Sequence, residues 1–516
     1  MPMIGRRLTA LALILSLFLL SACELPAASS PEPTESIPNT VESESPAPRA
    51  QFALSYNNTH TLDPLGTTDS SNLSLATLVY EGLFELNENF EPQPVLCESW
   101  SVNASCTVWT FVLRSDVVFS DGTPLTPKLV ATALRKARSS ELYGTRLSSI
   151  VGVSTGTGSV TVTLSAPNGG LPALLDIPIT LPVEDGVAPL GTGPYVYDTD
   201  AEELFLRRNE LWWQSAHMPL ESIPLRAIAT ADDRIAAFDT ALISAVTADP
   251  TSTNALGYSG SYEIWTGSTS NLFYLGFNHA SGFCTDMVLR QAISRTLDRN
   301  IIASTLFSGY ADPAPLSVSP VSPLYDRGLA GELAPSVTLA AQLLEDAKYN
   351  LNDSGRLTRR SRLVELTLLV NSENSFRLAA ANYIAAELDK LGITVTVNAL
   401  PWNDFLKALQ AGKFDLYLGQ VRMTADFDPS VLITGSLNYG LYWNEETNAI
   451  LAAYNGASGE MRTEAAHALQ THLASALPFA PLCFLRTAVY TQWGAVSGLQ
   501  PTQQNPFYHF SQWTIR

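Results

Sequence analysis

LTLLVNSENSFRLAAANYIAAELDKLGITVTVNALPWNDFLKALQAGKFDLYL, residues 366–418, alternates short runs of leucine and β-branched residues with longer apolar-periodic segments. The short runs have the length and composition of buried strands, and the longer segments have the period of helices. The pattern predicts, in order, strand 366–370, helix 376–391, strand 393–397, helix 402–410 and strand 414–418. Strands and helices alternating at this spacing predict an α/β fold with a largely parallel sheet covered on both faces.

The alternation extends on both sides of this stretch, and no internal repeat is present. Around it, the sequence predicts strand 271–278, helices 286–297, 447–454 and 461–477, and a last strand pair around 482–490. The N-terminal part has shorter strands, separated by Gly, Asp and Pro turns. There we expect strands 51–56 and 109–113, helices 71–80 and 129–137, and a hairpin of 150–155 with 160–164.

The first residues have the composition of a secretory signal. Arg6 and Arg7 precede an apolar run from Leu8 to Leu20, and Leu20-Ser21-Ala22-Cys23 follows. A basic start, a short apolar core and small residues before a cleavage site are typical of a signal peptide, here residues 1–22. A membrane-spanning anchor is the alternative, although thirteen residues rise only about 20 Å as a helix. Leu-Ser-Ala-Cys also resembles the bacterial lipobox, which implies a lipid on Cys23.

Residues 23–50 differ from the rest of the chain. Prolines alternate with serine, threonine and glutamate, and almost no side chain is suited to a core. Such a segment cannot offset the entropy of ordering, so we predict a disordered tether between the membrane and a folded domain.

Charge and missing motifs narrow the function. Thirty basic and 49 acidic residues give a formal net charge of −19, which argues against nucleic-acid binding. We find no phosphate-binding loop, no HExxH and no GxSxG, which disfavours an enzyme, and the sequence predicts neither a cofactor nor a metal site. Four cysteines follow the tether without a CxxC spacing, and we interpret them as separate buried thiols; pairing outside the cytoplasm is the alternative. They are Cys97, Cys106, Cys284 and Cys483.

Several short segments, in order along the chain, resemble one protein family. They are TLDP (61–64), VYEGLF (79–84), ESW (98–100), WTFVLR (109–114), VFSDGTPL (118–125), GTGPY (191–195), LGFN (275–278) and LRQAI (289–293) with LDR (297–299). Together they are similar to the extracellular solute-binding proteins that serve oligopeptide, dipeptide and nickel ATP-binding-cassette (ABC) importers.

The resemblance implies a two-lobed, periplasmic-binding-protein-like fold with mixed sheets, a hinge between the lobes and an inserted subdomain. It places the main part of lobe I at 51–75, 187–273 and 483–516, the inserted subdomain at 76–186, and lobe II at 274–482. The connecting strands would lie near 274–278 and 482–486. It further implies a lipid-anchored, extracytoplasmic monomer that delivers a short peptide to ABC permease subunits.

The loop after the strand at 414–418 holds the candidate ligand residues. In peptide binders of the family an aspartate in this loop pairs with the peptide's ammonium group, which suggests Asp426 or Asp428. For Asp428 the alternative is a helix cap, because Pro429 and an apolar run follow it. The tryptophan that the family has just before this loop is missing, and Gln420-Val421-Arg422 occupies the place; Arg422 is predicted to pair with a ligand carboxylate or with Asp426.

Aromatic side chains are the remaining candidates for the cleft lining, since ligand sites favour aromatic walls. They are Tyr274, Tyr439, Tyr442 and Trp443, and simple core residues are the alternative interpretation for each. Other solutes are compatible with the family: a nickel or metal chelate, for which His279 lies near a predicted hinge, or an oligosaccharide. A ligand sensor without an importer is the alternative from a different class.

Overall fold

A computed structural model describes residues 51–184, 186–199, 203–252 and 257–516. The predicted signal peptide, Cys23 and the tether lie outside these residues. Residues Ala50–Arg516 form one compact unit, and all helices, strands and core clusters described below belong to it. Within the described residues, no helix has the length and apolar character needed to cross a bilayer.

The described residues form 22 strands and eleven α-helices. The strands are β1 Leu54–Tyr56, β2 Phe84–Leu86, β3 Pro92–Pro94, β4 Cys97–Val102, β5 Val108–Leu113, β6 Ile150–Gly156, β7 Ser159–Leu164, β8 Tyr195–Asp198, β9 Phe205–Arg208, β10 Ser222–Ala227, β11 Ala245–Ala248, β12 Tyr262–Phe277, β13 Ala311–Pro313, β14 Tyr349–Leu351, β15 Leu357–Arg359, β16 Arg362–Leu363, β17 Glu365–Asn371, β18 Thr394–Leu400, β19 Leu416–Arg422, β20 Phe479–Gln492, β21 Val496–Ser497 and β22 Thr514–Ile515. The helices are α1 Ser70–Val79, α2 Pro127–Arg138, α3 Ala231–Asp239, α4 Met287–Thr296, α5 Arg327–Glu332, α6 Val337–Asp346, α7 Ser375–Asp389, α8 Trp402–Gln410, α9 Ser430–Ile433, α10 Glu445–Asn455 and α11 Glu460–Ala476.

The first lobe contains two four-stranded sheets. One has the order β1-β10-β9-β8, and the other, the inserted subdomain, has the antiparallel order β4-β5-β7-β6. Helix α2 packs on β6 and β7 and closes the core of the inserted subdomain. The alternation in β5 explains this core, because Trp109, Phe111 and Leu113 are buried on one face.

A seven-stranded sheet extends from the first lobe into the second, where it forms the main sheet. Its order is β11-β20-β12-β19-β17-β18, with β13 added beside β20. Strands β17, β18 and β19 are parallel, as the repeated strand–helix pattern predicted. Strands β12 and β20 run antiparallel to each other, and β12 is antiparallel to β19, so the sheet is mixed and not largely parallel.

Strands β12 and β20 connect the lobes. Trp265 and Val489 contribute to the core of the first lobe, whereas Phe273 and Leu275 belong to the core of the second. The pairing of the two strands shifts register between Ser268 and Leu272, where the chain passes between the cores. Both strands are longer than the connecting segments expected from the sequence.

One predicted element at the C-terminal end is wrong. The expected strand pair around 482–490 is the single strand β20, which pairs with β12 instead of with itself. The run Phe479–Gln492 contains no glycine, asparagine or aspartate that would favour a hairpin turn, so the chain continues straight.

The helices of the second lobe begin and end at chemically clear signals. Helix α7 starts after Asn374, whose Oδ1 accepts a 3.1 Å hydrogen bond from the N–H of Arg377. The chain turns into β18 at Gly392, which has a φ of 76°, and a Cβ at this position would lie only 2.6 Å from the Gly355 carbonyl oxygen. These signals explain why the expected range 376–391 agrees with the observed helix within two residues.

The four cysteines of the folded unit are free and buried: Cys97, Cys106, Cys284 and Cys483. Cys97 lies in β4, while Cys106 lies in the turn before β5 and donates to the Gly456 carbonyl oxygen at 3.3 Å. The interpretation as separate buried thiols is confirmed.

Candidate functional site

A cleft of about 1220 Å³ lies between the lobes. Its walls come from α1 and the C-terminal loop 501–511 of the first lobe, from the inserted subdomain near 142–149 and 166–168, and from the loop after β19. Most small-molecule sites have roughly 300–1,000 Å³, so this cleft has room for a larger ligand or for ordered water beside a small one.

The loop after β19 is anchored by Phe427. This side chain is buried, packs edge-on to Phe90 at 5.2 Å and to Phe484 at 6.0 Å, and has a φ of 53°. A positive φ in a bulky residue needs surrounding structure to hold it. The buried ring therefore fixes the loop so that Asp426 and Asp428, on either side of it, both reach the cleft wall.

Asp426 is almost fully buried and already has protein partners. Its carboxylate lies 3.9 Å from the guanidinium of Arg462 and accepts a 3.2 Å hydrogen bond from Asn168 of the inserted subdomain. Its carbonyl oxygen accepts from Arg462 at 3.2 Å and from the Tyr454 hydroxyl. The ion partner of Asp426 is thus Arg462. The expected pair between Arg422 and Asp426 does not form.

Asp428 is not the N-cap of α9, which is Pro429, but its side chain contacts the first residue of that helix, and Asp428 also lines the cleft. Its Oδ1 accepts from the backbone N–H of Ser430 at 2.9 Å and from the Ser430 hydroxyl at 2.5 Å, at the first residue of α9. Its other oxygen accepts from Asn455 at 3.3 Å. Burial and the negative charge of Asp426 raise the pKa of Asp428. A ligand cation beside Asp428 would lower the pKa of this carboxyl group again.

Arg422, the last residue of β19, lines the cleft and is reachable by solvent. Its side chain makes no ion pair or hydrogen bond with any residue that the structure describes. Partial desolvation inside the cleft and the positive charge of Arg146 lower the pKa of Arg422, while Asp176 and Tyr143 raise it. Arg422 therefore faces the cleft with its charge uncompensated by a direct partner.

The structure does not bring the predicted aromatics to this cleft. Tyr274 is buried against Tyr417 and Phe479, with ring centroids 5.8 and 5.5 Å apart, because Gly419 opposite it leaves room for the ring. Tyr439 packs on the same core. Tyr442 is buried beside Thr447, and its hydroxyl lies 2.7 Å from the Thr447 hydroxyl.

Trp443 is 75% exposed and does not line the cleft. Residues 439–443 lie in a loop, where the sequence has no strand or helix period that would predict the direction of a side chain. The aromatic lining comes from other segments, which sequence reasoning missed: Tyr80, Phe84, Tyr143, Trp212, Phe507 and Phe510.

Two further polar groups of the cleft were also missed. Arg146 and Asp176 come from irregular segments of the inserted subdomain and approach to 2.8 Å. Neither lies in a periodic element or a motif, so only the tertiary structure reveals that they meet.

Glu81 forms a distinct polar cluster at the cleft wall. Its two carboxylate oxygens accept from the indole N–H groups of Trp212 at 3.0 Å and Trp213 at 2.9 Å, and from the Thr192 hydroxyl at 2.8 Å. No cation completes the cluster among the described residues. Burial raises the pKa of Glu81 to about 7, although these donors partly oppose the rise.

Histidine positions bear on metal-chelate binding. His279 lies off the cleft, where its Nε2 is 2.9 Å from the Pro478 carbonyl oxygen, whereas His509 lines the cleft. Within the described ranges, no group of three or more His, Cys, Asp or Glu side chains is arranged to hold a metal ion.

The mixed α/β architecture and its interlobe cleft agree with the family that the sequence resembles, and comparison with known proteins identifies that family. Residues 91–440 match the family described as bacterial extracellular solute-binding proteins, family 5 Middle. The chain belongs to this family, which is one of binding proteins. The predicted family and its two-lobed fold class are thereby confirmed.

A curated relative is the glutathione-binding protein GsiB of Escherichia coli strain K12. It is 26% identical over 306 residues, which cover 56% of this chain and 59% of GsiB. The chain thus spans about three fifths of the length of the curated relatives that it matches.

Solved structures share the fold over most of their length. NikA from Brucella suis, in complex with Fe(III)-EDTA, matches with a TM-score of 0.68 at 21% identity, covering 90% of this chain and 100% of NikA. The oligopeptide-binding protein AppA from Bacillus subtilis, in complex with a nonapeptide, matches with a TM-score of 0.59 at 20% identity, covering 90% of this chain and 99% of AppA. At these identities the likeness establishes the fold.

Proposed function

We propose that this chain captures a short peptide between its two lobes and delivers it to the permease subunits of an ABC importer. The observation that carries the proposal is the large cleft, which is lined by both lobes and holds charged groups of opposite sign. Family membership and the glutathione and peptide ligands named for its relatives support a peptide as the solute. We expect the protein to act as a monomer and to carry out no catalysis.

The Asp426–Asp428 loop supplies the negative end of the cleft. Two carboxylates lie here with one guanidinium, that of Arg462, so one negative charge is left over. An ammonium group that replaces water beside Asp428 would gain charge-assisted hydrogen bonds and relieve repulsion between the carboxylates. We propose Asp428 as the direct contact for a peptide's ammonium group and Asp426 as its buried neighbour, with Arg422 as a contact for a carboxylate.

Native mass spectrometry of residues 50–516, purified gently after expression, tests the proposal. A bound mass that disappears on denaturation and fragments as peptide is the expected result. The same protein after unfolding and refolding in peptide-free buffer is the control, and it should show only the mass of the chain. A folded domain that neither retains nor rebinds peptide would contradict the proposal.

The N-terminal segment supplies the localisation that we propose: secretion, cleavage after residue 22 and lipid attachment at Cys23, followed by the 23–50 tether. The protein would then remain extracytoplasmic and bound to the cell membrane by its lipid. Replacing Cys23 by serine should move the protein from the membrane fraction to the soluble fraction. The matched change Cys97→Ser should leave its fractionation unchanged.

A metal chelate or an oligosaccharide is the second candidate solute. His509 in the cleft favours the first and the aromatic lining, including Trp212 and Phe507, favours the second. Mass spectrometry separates the three, because a retained metal, sugar or peptide has a distinct mass. If the protein is a ligand sensor, it would bind the same solute, but cells that lack the protein would take up that solute at the normal rate.

We also propose a division of the chain into lobes and an inserted subdomain. We assign 51–75, 187–273 and 483–516 to the main part of lobe I, 76–186 to its inserted subdomain and 274–482 to lobe II.

A further inference from the structure

Arg146 stands on the inserted-subdomain side of the cleft with donors that the protein does not satisfy. Its guanidinium approaches the Asp176 carboxylate to 2.8 Å, but without the alignment of a hydrogen bond. Its Nε is buried and has no hydrogen-bond partner among the residues that the structure describes. A buried unsatisfied donor on a charged group is costly unless a ligand or water completes it.

Arg422 approaches the same place from the second lobe. It ends β19, lines the cleft and interacts electrostatically with Arg146, Asp176 and Tyr143. The tyrosine ring also lies under the Arg146 guanidinium at 5.0 Å, which helps to fix that arginine. The two arginines and one aspartate leave one positive charge without a counter-ion.

The third arginine of the cleft wall differs. Arg486 is held by the Asp312 carboxylate at 2.7 Å, so its charge is compensated within the protein. The uncompensated positive charge of the three cleft arginines therefore lies at Arg146 and Arg422, where the inserted subdomain faces β19.

We propose that Arg146 and Arg422 form one anion subsite, which takes a carboxylate of the captured solute between them. The inference rests on the proposed capture of a peptide and specifies its chemistry: the solute carries at least one carboxylate besides the ammonium group that Asp428 would accept. A carboxylate can accept donors from both guanidiniums at once. Because one arginine comes from each lobe, the bound anion also reduces the repulsion that opposes their approach.

Arg146 and Arg422 thus determine specificity. A peptide with a blocked carboxylate would leave the surplus positive charge of the two guanidiniums without a counter-ion in the closed cleft, which disfavours its binding. The carboxylate can come from the peptide C-terminus or from an acidic side chain. Both sources offer the same group to the two arginines.

Calorimetric titration of residues 50–516 with three peptides tests the proposal. The probes are trialanine with a free C-terminus, trialanine amide, and the amide of Ala-Glu-Ala. We expect the free acid to bind about 10- to 100-fold more tightly than trialanine amide, as for a charge-assisted contact. Recovery of binding by the glutamate-containing amide would identify a side chain as an accepted source, and no recovery would identify the terminus.

The variant Arg422→Gln should remove the preference for the free acid while leaving the fold intact, because this side chain has no partner within the described part of the chain. Arg138→Gln is the matched control. Arg138 is an exposed arginine at the end of α2, away from the cleft, and its removal changes net charge equally. Arg146→Gln should act like Arg422→Gln, and its circular dichroism spectrum shows whether loss of the Asp176 contact has unfolded it.

The outcomes separate the two proposals. Equal binding of acid and amide by the unmodified domain, or an unchanged preference in Arg422→Gln, would overturn the anion subsite and leave peptide capture standing. Failure of every peptide to bind a folded domain that also retained none from the cell would overturn peptide capture, and the subsite with it.

Discussion

The backbone N–H of Gly169 donates a 2.8 Å hydrogen bond to the carbonyl oxygen of Asn455. A Cβ at position 169 would lie 1.6 Å from the Ala457 carbonyl oxygen, and one at Gly170 would lie 2.6 Å from the Arg462 guanidinium. Glycine is therefore required where the inserted subdomain meets the α10–α11 loop of the second lobe. This contact lies beside Asp426 and ties together the two walls of the cleft.

Gly169→Ala should separate these walls, because backbone atoms on the opposite side cannot move aside as a flexible side chain could. Hydrogen exchange measured by mass spectrometry should become faster at 166–170 and 455–459, and trialanine should bind more weakly. Gly331→Ala, in a helix with open space around it, is the control and should leave both unchanged. Unchanged exchange in Gly169→Ala would show that the contact does not exist in solution.

Asp426→Ala should destabilise the fold and not merely weaken binding. The change leaves the Arg462 guanidinium buried without its carboxylate, and loss of one partner of a buried pair costs about 3–5 kcal/mol. Urea unfolding measures the loss. Asp404→Ala removes an exposed carboxylate 3.5 Å from Lys407 and should cost less than about 1 kcal/mol. Comparable stability of the two variants would refute the structural role of Asp426.

Glu81 should make stability depend on pH. Its pKa of about 7 in the folded chain lies above the ordinary glutamate value of about 4.5, so between these pH values the folded state holds a proton that the unfolded state has lost. The free energy of unfolding therefore falls as pH rises from about 4.5 to 7, and then this contribution levels off. Since the side chain retains partial contact with solvent, we expect a change of about 1–2 kcal/mol, less than the full pKa shift implies.

Urea titrations followed by tryptophan fluorescence at several pH values measure this dependence. Glu81→Gln should reduce the slope between pH 5 and 7, and what remains comes from other buried carboxyl groups with raised pKa values, such as Glu85 and Asp428. It should also lower stability at every pH, because the amide has a single acceptor oxygen for the indoles of Trp212 and Trp213. An identical slope in the variant would assign the dependence to other groups.

Thiol titration should find four free cysteines in residues 50–516. Burial raises the pKa of Cys97 to about 12, so its reactive thiolate is scarce at neutral pH. We expect almost no reaction with Ellman's reagent in the native state and four equivalents in guanidinium chloride without a reductant. Two equivalents after denaturation would instead indicate a disulfide.

The second lobe was predictable to a large extent because its signals are local. Helix α8 has the predicted bounds 402–410, and the parallel order of β17, β18 and β19 follows from the strand–helix alternation. The antiparallel pairing of β12 with β20 joins segments about 200 residues apart, which no local pattern specifies. The mixed sheet therefore emerged only from the structure.

The cleft was predictable where the family resemblance pointed to a loop, and not elsewhere. Asp426, Asp428 and Arg422 line it, but Tyr274 is directed into the core because Gly419 leaves space for its ring. Arg146 lies in an irregular segment whose sequence carries no signal. Its position near Arg422 depends on how the inserted subdomain lies against the second lobe.

Hydrogen exchange of residues 50–516 with and without saturating trialanine tests most directly whether a peptide is captured between the lobes. We predict slower exchange in both walls at once, in 142–149 of the inserted subdomain and in 421–430 after β19. Peptide binding that protects neither segment, or that protects a surface outside the cleft, would contradict it.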